Sequence, residues 1–592
     1  MTAANPLDVR VRDRGPDRTR PTTRATSVIG LLVFLAGLVD LVSAGTPAYR
    51  SRLLVLRHFV PGVLSHSSGA LTIVSGVLLV LIAKALRRRK RRAWRLAVVL
   101  LSFSVILHLL KGLDVEEATA SGVLLGVLVW RREEFYAIGD PRTRWRAVGA
   151  SAVLLSSSVL LGTGLIYLRG HTLVASPSLG SAMATALRGL LGFSGPLQWQ
   201  STALGRSDGD FVRDTLFALG MVTLVATTYL TLRPSEPIAL LSDADERRIR
   251  TLLVQQGRRD SLGYFALRRD KSVIWGPSGK ACVSYRVLSG VMLASGDPVG
   301  DPDAWPAVIE AFLVEAQRHA WTPAALSCSL AGGRAWSRAG LTALELGDEA
   351  IVETECFSMH GREMRNVRQA VARAQRANYE VVISRLGDLS VEDRARLRDR
   401  ATLWRGASTE RGFSMALSRL GGPDDDQCVA VTASCNGQLR AFLHLVPWGP
   451  DGLSLDLMRR DRDAVNGVNE FMISRLLETA PGLGITRVSL NFAVFRSTFE
   501  RSERLGAGPV LMLTRRILLF GSRWWQLESL YRFNEKFQPD WQPRFVCFPQ
   551  ARDLPRVALA SAEAEAFLTW PRLRRVSQRV QRRGRSTEPP SA

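Results

Sequence analysis

The segment Leu453-Ser454-Leu455-Asp456-Leu457-Met458-Arg459-Arg460, followed by Asn466-Gly467 before an apolar-periodic stretch, holds the densest set of groups able to act on an ester. In an extended segment, alternation places Leu453, Leu455 and Leu457 on one face and Ser454 and Asp456 on the other. Arg459, Arg460 and Arg462 then fall between strand end and helix start. There, exposed amides and the helix dipole favour an anion, and guanidinium groups hold phosphate through paired hydrogen bonds. Asn491, on the polar face of the next alternating segment, can converge on the same cleft. The chemistry would be a carboxylate orienting or deprotonating a hydroxyl beside a polyanion site. A structural reading stands next to it: Asp456 paired with Arg459, and Asn466 as a plain N-cap.

These residues need elements to position them. Cys428–Ser434 and Gln438–Val446 alternate and are joined by Cys435-Asn436-Gly437, a hairpin signal. Leu453–Met458 forms a third strand, Asn466–Ala480 a helix with Val468, Phe471, Met472, Leu476 and Leu477 on one face, and Thr486–Val494 a further strand. Three meandering strands, a helix and another strand are the kernel of an acyltransferase fold with a V-shaped sheet. The order recurs upstream, with strands near Ser272–Trp275, Ala281–Val287 and Gly290–Ser295, a helix near Asp303–Ala320 and a strand at Ala324–Ser329. A basic helix from about Gly361 to Asn378 joins the two halves. An acetyl-CoA enzyme would show a Gly-rich turn after the third strand. Here residues 460–467 carry a single Gly, so another acyl donor is expected.

The chain has 592 residues, 78 Lys+Arg against 54 Asp+Glu and a net charge of +24. Such a composition excludes a disordered chain and a collagen-like repeat. Six cysteines without a C-x-x-C pair, and no H-E-x-x-H, argue against a disulfide framework and a metal site. Apolar runs gather before Arg233: Val28–Ala44, Val60–Ala83, Leu96–Leu110, Ala118–Trp130, Ala147–Leu168 and Thr215–Leu232. A bilayer asks for about 20 apolar residues per helix, so six crossings are expected, the fourth being short. Arg/Lys clusters at 10–24, 84–95 and 131–146 would then share one side, the cytoplasmic one, which puts residues after Arg233 in the cytoplasm. Arg50, Arg52 and Arg57 dissent. Asp40 and His108 lie in apolar runs near span ends, where snorkelling reads as well as a polar path, and neither is assigned a role. The boundaries read 1–26 disordered tail, 27–233 transmembrane module, 234–355 and 356–565 acyltransferase-like units, and 566–592 basic tail. The fold class is multi-domain: an N-terminal α-helical transmembrane bundle followed by an α/β tandem acyltransferase-like (GNAT-like) domain. The remaining net charge of +9 after residue 233 suits an anionic partner, phospholipid or nucleic acid.

Residues 245–565 resemble the catalytic domain of lysylphosphatidylglycerol synthetases, the multiple peptide resistance factor family, in the actinobacterial form that elsewhere is fused to a lysyl-tRNA synthetase. The likeness is carried by Ser261–Lys271, Ala294–Asp301, Leu341–Ala350, Glu363–Arg373, Ser454–Arg460, Ile485–Arg496, Ser522–Phe537 and Pro539–Arg544. It implies two tandem acyltransferase-like units behind a membrane module. The implied activity is transfer of an aminoacyl group, lysyl in the family, from charged tRNA to a phosphatidylglycerol hydroxyl. The product would lower surface negative charge and cationic peptide uptake. Ester exchange between two esters asks for no cofactor; aminoacyl-tRNA is the co-substrate.

By this resemblance Asp456 and Arg459 match the family's Asp-x-x-Arg, and Lys536 the Lys of Lys-Phe-x-Pro-x-Trp. Asp456 would act on the hydroxyl or the substrate ammonium, Arg459 on a phosphate, and Lys536 on a phosphate or the developing oxyanion. Arg460, Asn466, Gly467 and Asn491 are carried as substrate-binding candidates, with Glu528 and Arg544 expected to be structural in the first instance. Arg362, Arg365, Arg368, Arg373 and Arg376 offer a track for the tRNA acceptor stem, a solvated helix face being the alternative. With no synthetase domain following residue 592, charged tRNA would come from the general pool, and alanine or another amino acid and another lipid acceptor stay open. A catalytically silent lipid- or tRNA-binding membrane protein is the reading from a different class. The expected location is the plasma membrane, multi-pass, with the catalytic domain cytoplasmic; the oligomeric state is left open.

Overall fold

The computed structural model describes residues 23–45, 62–87, 89–112, 115–135, 142–169, 173–199, 208–232, 237, 239–406, 412–422, 424–494 and 527–568. The chain divides into two compact units, Met1–Pro237 with Gln317–Trp321, and Ile238–Ala316 with Thr322–Ala592.

The first unit is helical: α1 (Thr23–Gly45), α2 (Gly62–Arg87), α3 (Arg91–Gly112), α4 (Val115–Trp130), α5 (Arg142–Leu168), α6 (Leu179–Leu190) and α7 (Asp208–Leu232). Each expected apolar run falls on one of these helices, and α6 is additional. Among the described residues three stretches are long and apolar enough to cross a membrane: Ala25–Val42, Val148–Leu168 and Gly209–Thr231. Their outward side chains, such as Leu31, Leu35, Leu160 and Val222, are exposed, as a lipid-facing surface would be. Ile29, Val33, Leu79, Ile82, Leu86, Leu101 and Leu128 form the core of α1–α4. The tight crossing of α1 and α2 depends on glycine: a Cβ on Gly37 would lie 2.7 Å from the Gly76 carbonyl oxygen. Snorkelling does not describe Asp40 and His108. They are 1% and 0% exposed and bonded to each other, His108 Nε2 lying 2.9 Å from Asp40 Oδ1. Both point into the bundle interior, away from any headgroup layer.

The second unit carries one mixed sheet with α8 (Asp243–Gln256), β1 (Ser272–Trp275), β2 (Ala281–Leu288), β3 (Val291–Ser295), β4 (Val299–Gly300), α9 (Trp305–Arg318), β5 (Thr322–Cys328), α10 (Leu330–Arg338), β6 (Thr342–Glu353), α11 (Arg365–Arg376), β7 (Tyr379–Arg385), α12 (Val391–Arg405), β8 (Val429–Cys435), β9 (Gln438–Pro447), β10 (Gly452–Arg460), α13 (Val468–Thr479), β11 (Arg487–Val494), α14 (Leu527–Glu535), β12 (Asp540–Phe548) and α15 (Leu554–Ala564). The strand order is β1-β2-β3-β5-β12-β6-β11-β10-β9-β8-β7, with β4 beside β2. Two similar motifs face each other in it. In each, an antiparallel meander leads through a helix to a parallel strand: β3–α9–β5 and β10–α13–β11. The β8–β9 hairpin turns at Asn436 and Gly437, both at positive φ, as its sequence signal demands.

The two halves are not separate sheets. Strand β6, from the first half, pairs with β11 of the second, and β12, from the second, lies between β5 and β6. A boundary near residue 355 therefore divides the sequence but not the hydrogen-bonded sheet. Core packing covers both faces. Leu453, Leu455, Phe471, Met472 and Leu476 pack on the α13 side, and Phe442, Val446, Leu397 and Leu417 on the other.

Candidate active site

The parallel pairing of β10 and β11 runs only from Gly452↔Arg487 to Ser454↔Ser489, after which the strands separate. The opening lies at the C-terminal ends of two parallel strands, where ligands enter open α/β sheets. The divergence has a local cause: the ladder between β10 and β9 shifts register between Leu455 and Leu457. A bulge there adds one residue and breaks the alternation expected from the sequence. Leu453 and Leu455 stay in the α13-side core, whereas Leu457 packs with the opposite cluster. Asp456 is the bulged residue, and its carboxylate is re-aimed by the bulge.

Both oxygens of that carboxylate are engaged. Oδ1 accepts from the Leu417 backbone N–H at 2.6 Å, and Oδ2 lies 2.7 Å from His444 Nδ1. The side chains of Asp456 and His444 are 4% and 0% exposed. Burial alone would lower the imidazole, but the hydrogen bond and charge of Asp456, with Cys428 beside it, override burial and push His444 up to about 10. His444 is thus a cation at neutral pH, sealed behind the carboxylate. The alternative reading, Asp456 paired with Arg459, gives way to this pair.

A pH dependence follows. The unfolded imidazole titrates at about 6.5, below the folded value. The stabilisation from His444 is therefore complete below that pH and is lost as pH rises through about 10. Thermal melts of the wild type are expected to fall steadily between about pH 7 and 10, and those of His444→Asn to fall less. Parallel slopes would remove the pair from the account.

The remaining candidates separate into groups. Arg459 is half-buried at the strand end and Arg460 is exposed, its Nη1 3.4 Å from Asn466 Oδ1. Asn491, at φ 78°, donates from Nδ2 to the Leu455 carbonyl at 3.4 Å, bridging the mouth of the β10/β11 opening. Lys536 Nζ bonds Glu470 Oε1 at 2.8 Å in the first turn of α13 and sits 5.2 Å from the Phe533 ring. The contacts of Lys536 thus lie around the α13 N-terminus and those of Asp456 around His444 and Leu417. The structure joins neither Lys536 to Asp456 nor Glu528 to either: the Glu528 side chain lies outside the described residues. Nor do the candidates line the cleft of about 520 Å³ that opens at the other end of the strands, among Arg250, Tyr264, Arg385, Gln427 and Leu453.

Two candidates have structural work. Asn466 is not the N-cap of α13; Gly467 is, at φ 105° with no side-chain cap. A Cβ on Gly467 would lie 2.8 Å from Ala370 Cβ, so only glycine lets α13 start against α11. Gly467→Ala combines a forbidden φ with a clash and is expected to destabilise the second unit by about 1–3 kcal/mol, read from urea or thermal unfolding. Arg544, carried as a binding candidate, is 4% exposed and forks onto Glu349 at 2.9 and 2.5 Å and onto Asp260 at 2.7 Å. Ser261 and Ser489 also donate to Glu349. That cluster ties β6, β11 and β12 together and leaves the Arg544 guanidinium turned inward, which corrects its expected role at the substrate.

On α11, shorter than expected, Arg362, Arg365, Arg368, Arg373 and Arg376 are all exposed, while Val367, Ala370 and Ala374 are buried. Arg368 bonds the carbonyls of Met359 and Gly361, and Arg373 that of Asn466. His444 is the group the sequence reading missed. Its signal was present, because Phe442, His444 and Val446 alternate on one face of the strand that precedes Asp456 in the meander.

Residues 250–548 match the family described as Phosphatidylglycerol lysyltransferase, C-terminal, and residues 21–228 the Transmembrane region of lysyl-tRNA synthetase. The chain is 43% identical over 560 residues to the lysylphosphatidylglycerol biosynthesis bifunctional protein LysX of Rhodococcus jostii (strain RHA1), covering 93% of this chain and 50% of that protein. With LysX of Rhodococcus opacus (strain B4) it shares 42% over 581 residues, covering 97% and 51%. The chain spans about half the length of these curated relatives. Among solved structures, L-PGS from Bacillus licheniformis aligns with a TM-score of 0.48 and 21% identity, over 55% of this chain and 97% of that one.

Proposed function

The chain belongs to the phosphatidylglycerol lysyltransferase family, and from that premise we propose that it moves an aminoacyl group, lysyl first, from charged tRNA to the glycerol hydroxyl of phosphatidylglycerol at the membrane. The observation that carries this reading is the Asp456 carboxylate, placed by a bulge where β10 and β11 part and backed by His444. In the proposed step the lipid hydroxyl oxygen attacks the ester carbon of the aminoacyl group. A new C–O bond forms, the bond to the terminal ribose oxygen breaks, and Asp456 carries the proton from the first oxygen to the second. Atoms balance without cofactor or metal. Arg459 and Arg460 hold phosphate beside the opening, and Lys536, released from Glu470 or sharing it, faces phosphate or the developing oxyanion. The exposed arginines of α11 meet the acceptor stem through its phosphates, a contact that carries no base readout. The helices of the first unit anchor the chain in six crossings, with the second unit in the cytoplasm and the product lowering surface negative charge.

A membrane assay tests the reading. The full chain is expressed in a host lacking aminoacylated lipids, and labelled lysyl-tRNA and alanyl-tRNA are supplied separately. Label entering the lipid fraction only with lysyl-tRNA and phosphatidylglycerol, and abolished by prior RNase, is the expected result. Transfer from alanyl-tRNA alone would change the amino acid, transfer without phosphatidylglycerol the acceptor. No label from either tRNA, with folded protein in the membrane, would leave a binding protein.

A further inference from the structure

The interior of the α1–α4 bundle is divided in two along its length. Ile29 and Val33 precede Asp40 on α1, and Ala93, Ala97 and Leu101 precede Ser104 and His108 on α3. On the intervening helices the order reverses: Thr72 and Ser75 precede Leu78–Leu86 on α2, and Ser121 precedes Leu124 and Leu128 on α4. Alternating helix direction therefore gathers the apolar side chains at the end where α2 and α3 meet, beside the Arg/Lys segment 84–95. The buried polar groups Asp40, Thr72, Ser75, Ser104, His108 and Ser121 gather at the other end. Basic loops mark the cytoplasmic side, so the polar half is the extracytoplasmic one, closed off from the cytoplasm by the apolar half.

Inside the polar half, Ser104 Oγ donates to both Asp40 oxygens at 3.1 Å, and His108 Nε2 lies 2.9 Å from Oδ1. His108 Nδ1 and Ser75 Oγ are buried and have no hydrogen-bond partner among the described residues. A neutral imidazole donating through Nε2 leaves a carboxylate as one net negative charge inside the bundle, and an open lone pair on Nδ1. An uncompensated charge at such a depth is costly. One proton taken up on Nδ1 turns the pair into imidazolium and carboxylate, with no net charge. The other charged groups of these helices stand elsewhere. Asp40 is the one titratable side chain between Ala25 and Val42. Lys84, Arg87, Arg91, Arg92 and Arg95 lie at the apolar end, Lys111, Glu116 and Glu117 at the mouth of the polar end. On α7, which touches α2, Arg213 pairs with Asp210 and Asp214.

We propose that Asp40 and His108 form a proton-binding site in the extracytoplasmic half of the membrane module, reached from the outside and closed toward the cytoplasm. This site senses the outer pH and does not conduct, and it stands independently of the transfer reaction. The full chain in lipid nanodiscs is titrated between about pH 8 and 5, the range of histidine, and followed by infrared difference spectroscopy. The expected spectrum contains an imidazole-to-imidazolium change that His108→Gln removes and a carboxylate perturbation that Asp40→Asn removes. In Ser104→Ala, which keeps the pair, the midpoint moves by about one pH unit, the size of one hydrogen bond. Should Asp40→Asn not fold, the other two variants carry the test. In oriented vesicles, a pH jump applied opposite the basic loops produces the change and one on their side does not. Identical spectra for wild type and variants, a response only from the basic side, or a response to sodium or zinc at fixed pH in place of protons each overturn the proposal.

Discussion

Asp456→Asn is expected to lower kcat for aminoacyl transfer about 10²–10⁴-fold, the range of a general base, with KM for both substrates within about twofold. The substitution is nearly isosteric. The Asn oxygen still accepts from the Leu417 N–H, so the bulge and the fold survive and the loss reports chemistry. His444→Asn is the informative companion. Its amide nitrogen stands near the position of Nδ1 and keeps a donor toward Asp456, but the buried cation is gone. An intermediate loss of about tenfold, without a change in KM, would identify the imidazolium as the group that holds the carboxylate in place. Wild-type transfer by Asp456→Asn in folded, membrane-bound protein would move the chemistry away from the β10/β11 opening.

What the sequence made legible was local. The hairpin at Asn436-Gly437, the strand through Asp456, the helix after Gly467 and the basic helix α11 each rest on periodicity or turn chemistry within a short window, and each stands where those signals put it. The bulge at Asp456 was not legible. It exists because β9 and β10 must pair on one side while β10 and β11 part on the other, and no window of β10 alone contains that condition. The exchange of β6 and β12 between the halves was hidden for the same reason: strand partners this distant in sequence leave no periodic trace. Asp40 and His108 were visible as interruptions of apolar runs. Whether they snorkel or meet depends on helix pairing, since the two lie on different helices and share one interior. For Arg544 and Lys536 residue type pointed equally to a ligand and to a carboxylate of the chain itself, and only the three-dimensional partners separate those uses.

Arg544→Met is expected to be the most damaging substitution for stability, by about 3–5 kcal/mol, the usual consequence of leaving a buried charge without its partner. Glu349 is 1% exposed and receives Arg544, Ser261 and Ser489, so its carboxylate would remain in the sheet with two hydroxyls and no cation. Asp260 would lose its ion pair as well, and Asp297, already pushed up to about 7 by burial and the charge of Asp260, would face it without relief. These groups span β6, β11 and β12, the strands that the two halves exchange, so the defect falls on the seam that makes one sheet of them. The check is the unfolding midpoint, or the inactivation half-life where unfolding is irreversible, of the detergent-solubilised full chain. A double variant, Glu349→Gln with Arg544→Met, is expected to recover part of the loss, because it removes the stranded charge together with its partner. A substrate-binding role predicts the reverse signature: unchanged melting with KM raised in Arg544→Met and no relief in the double variant. The two accounts of Arg544 therefore part on measurements that need no knowledge of which amino acid the protein transfers.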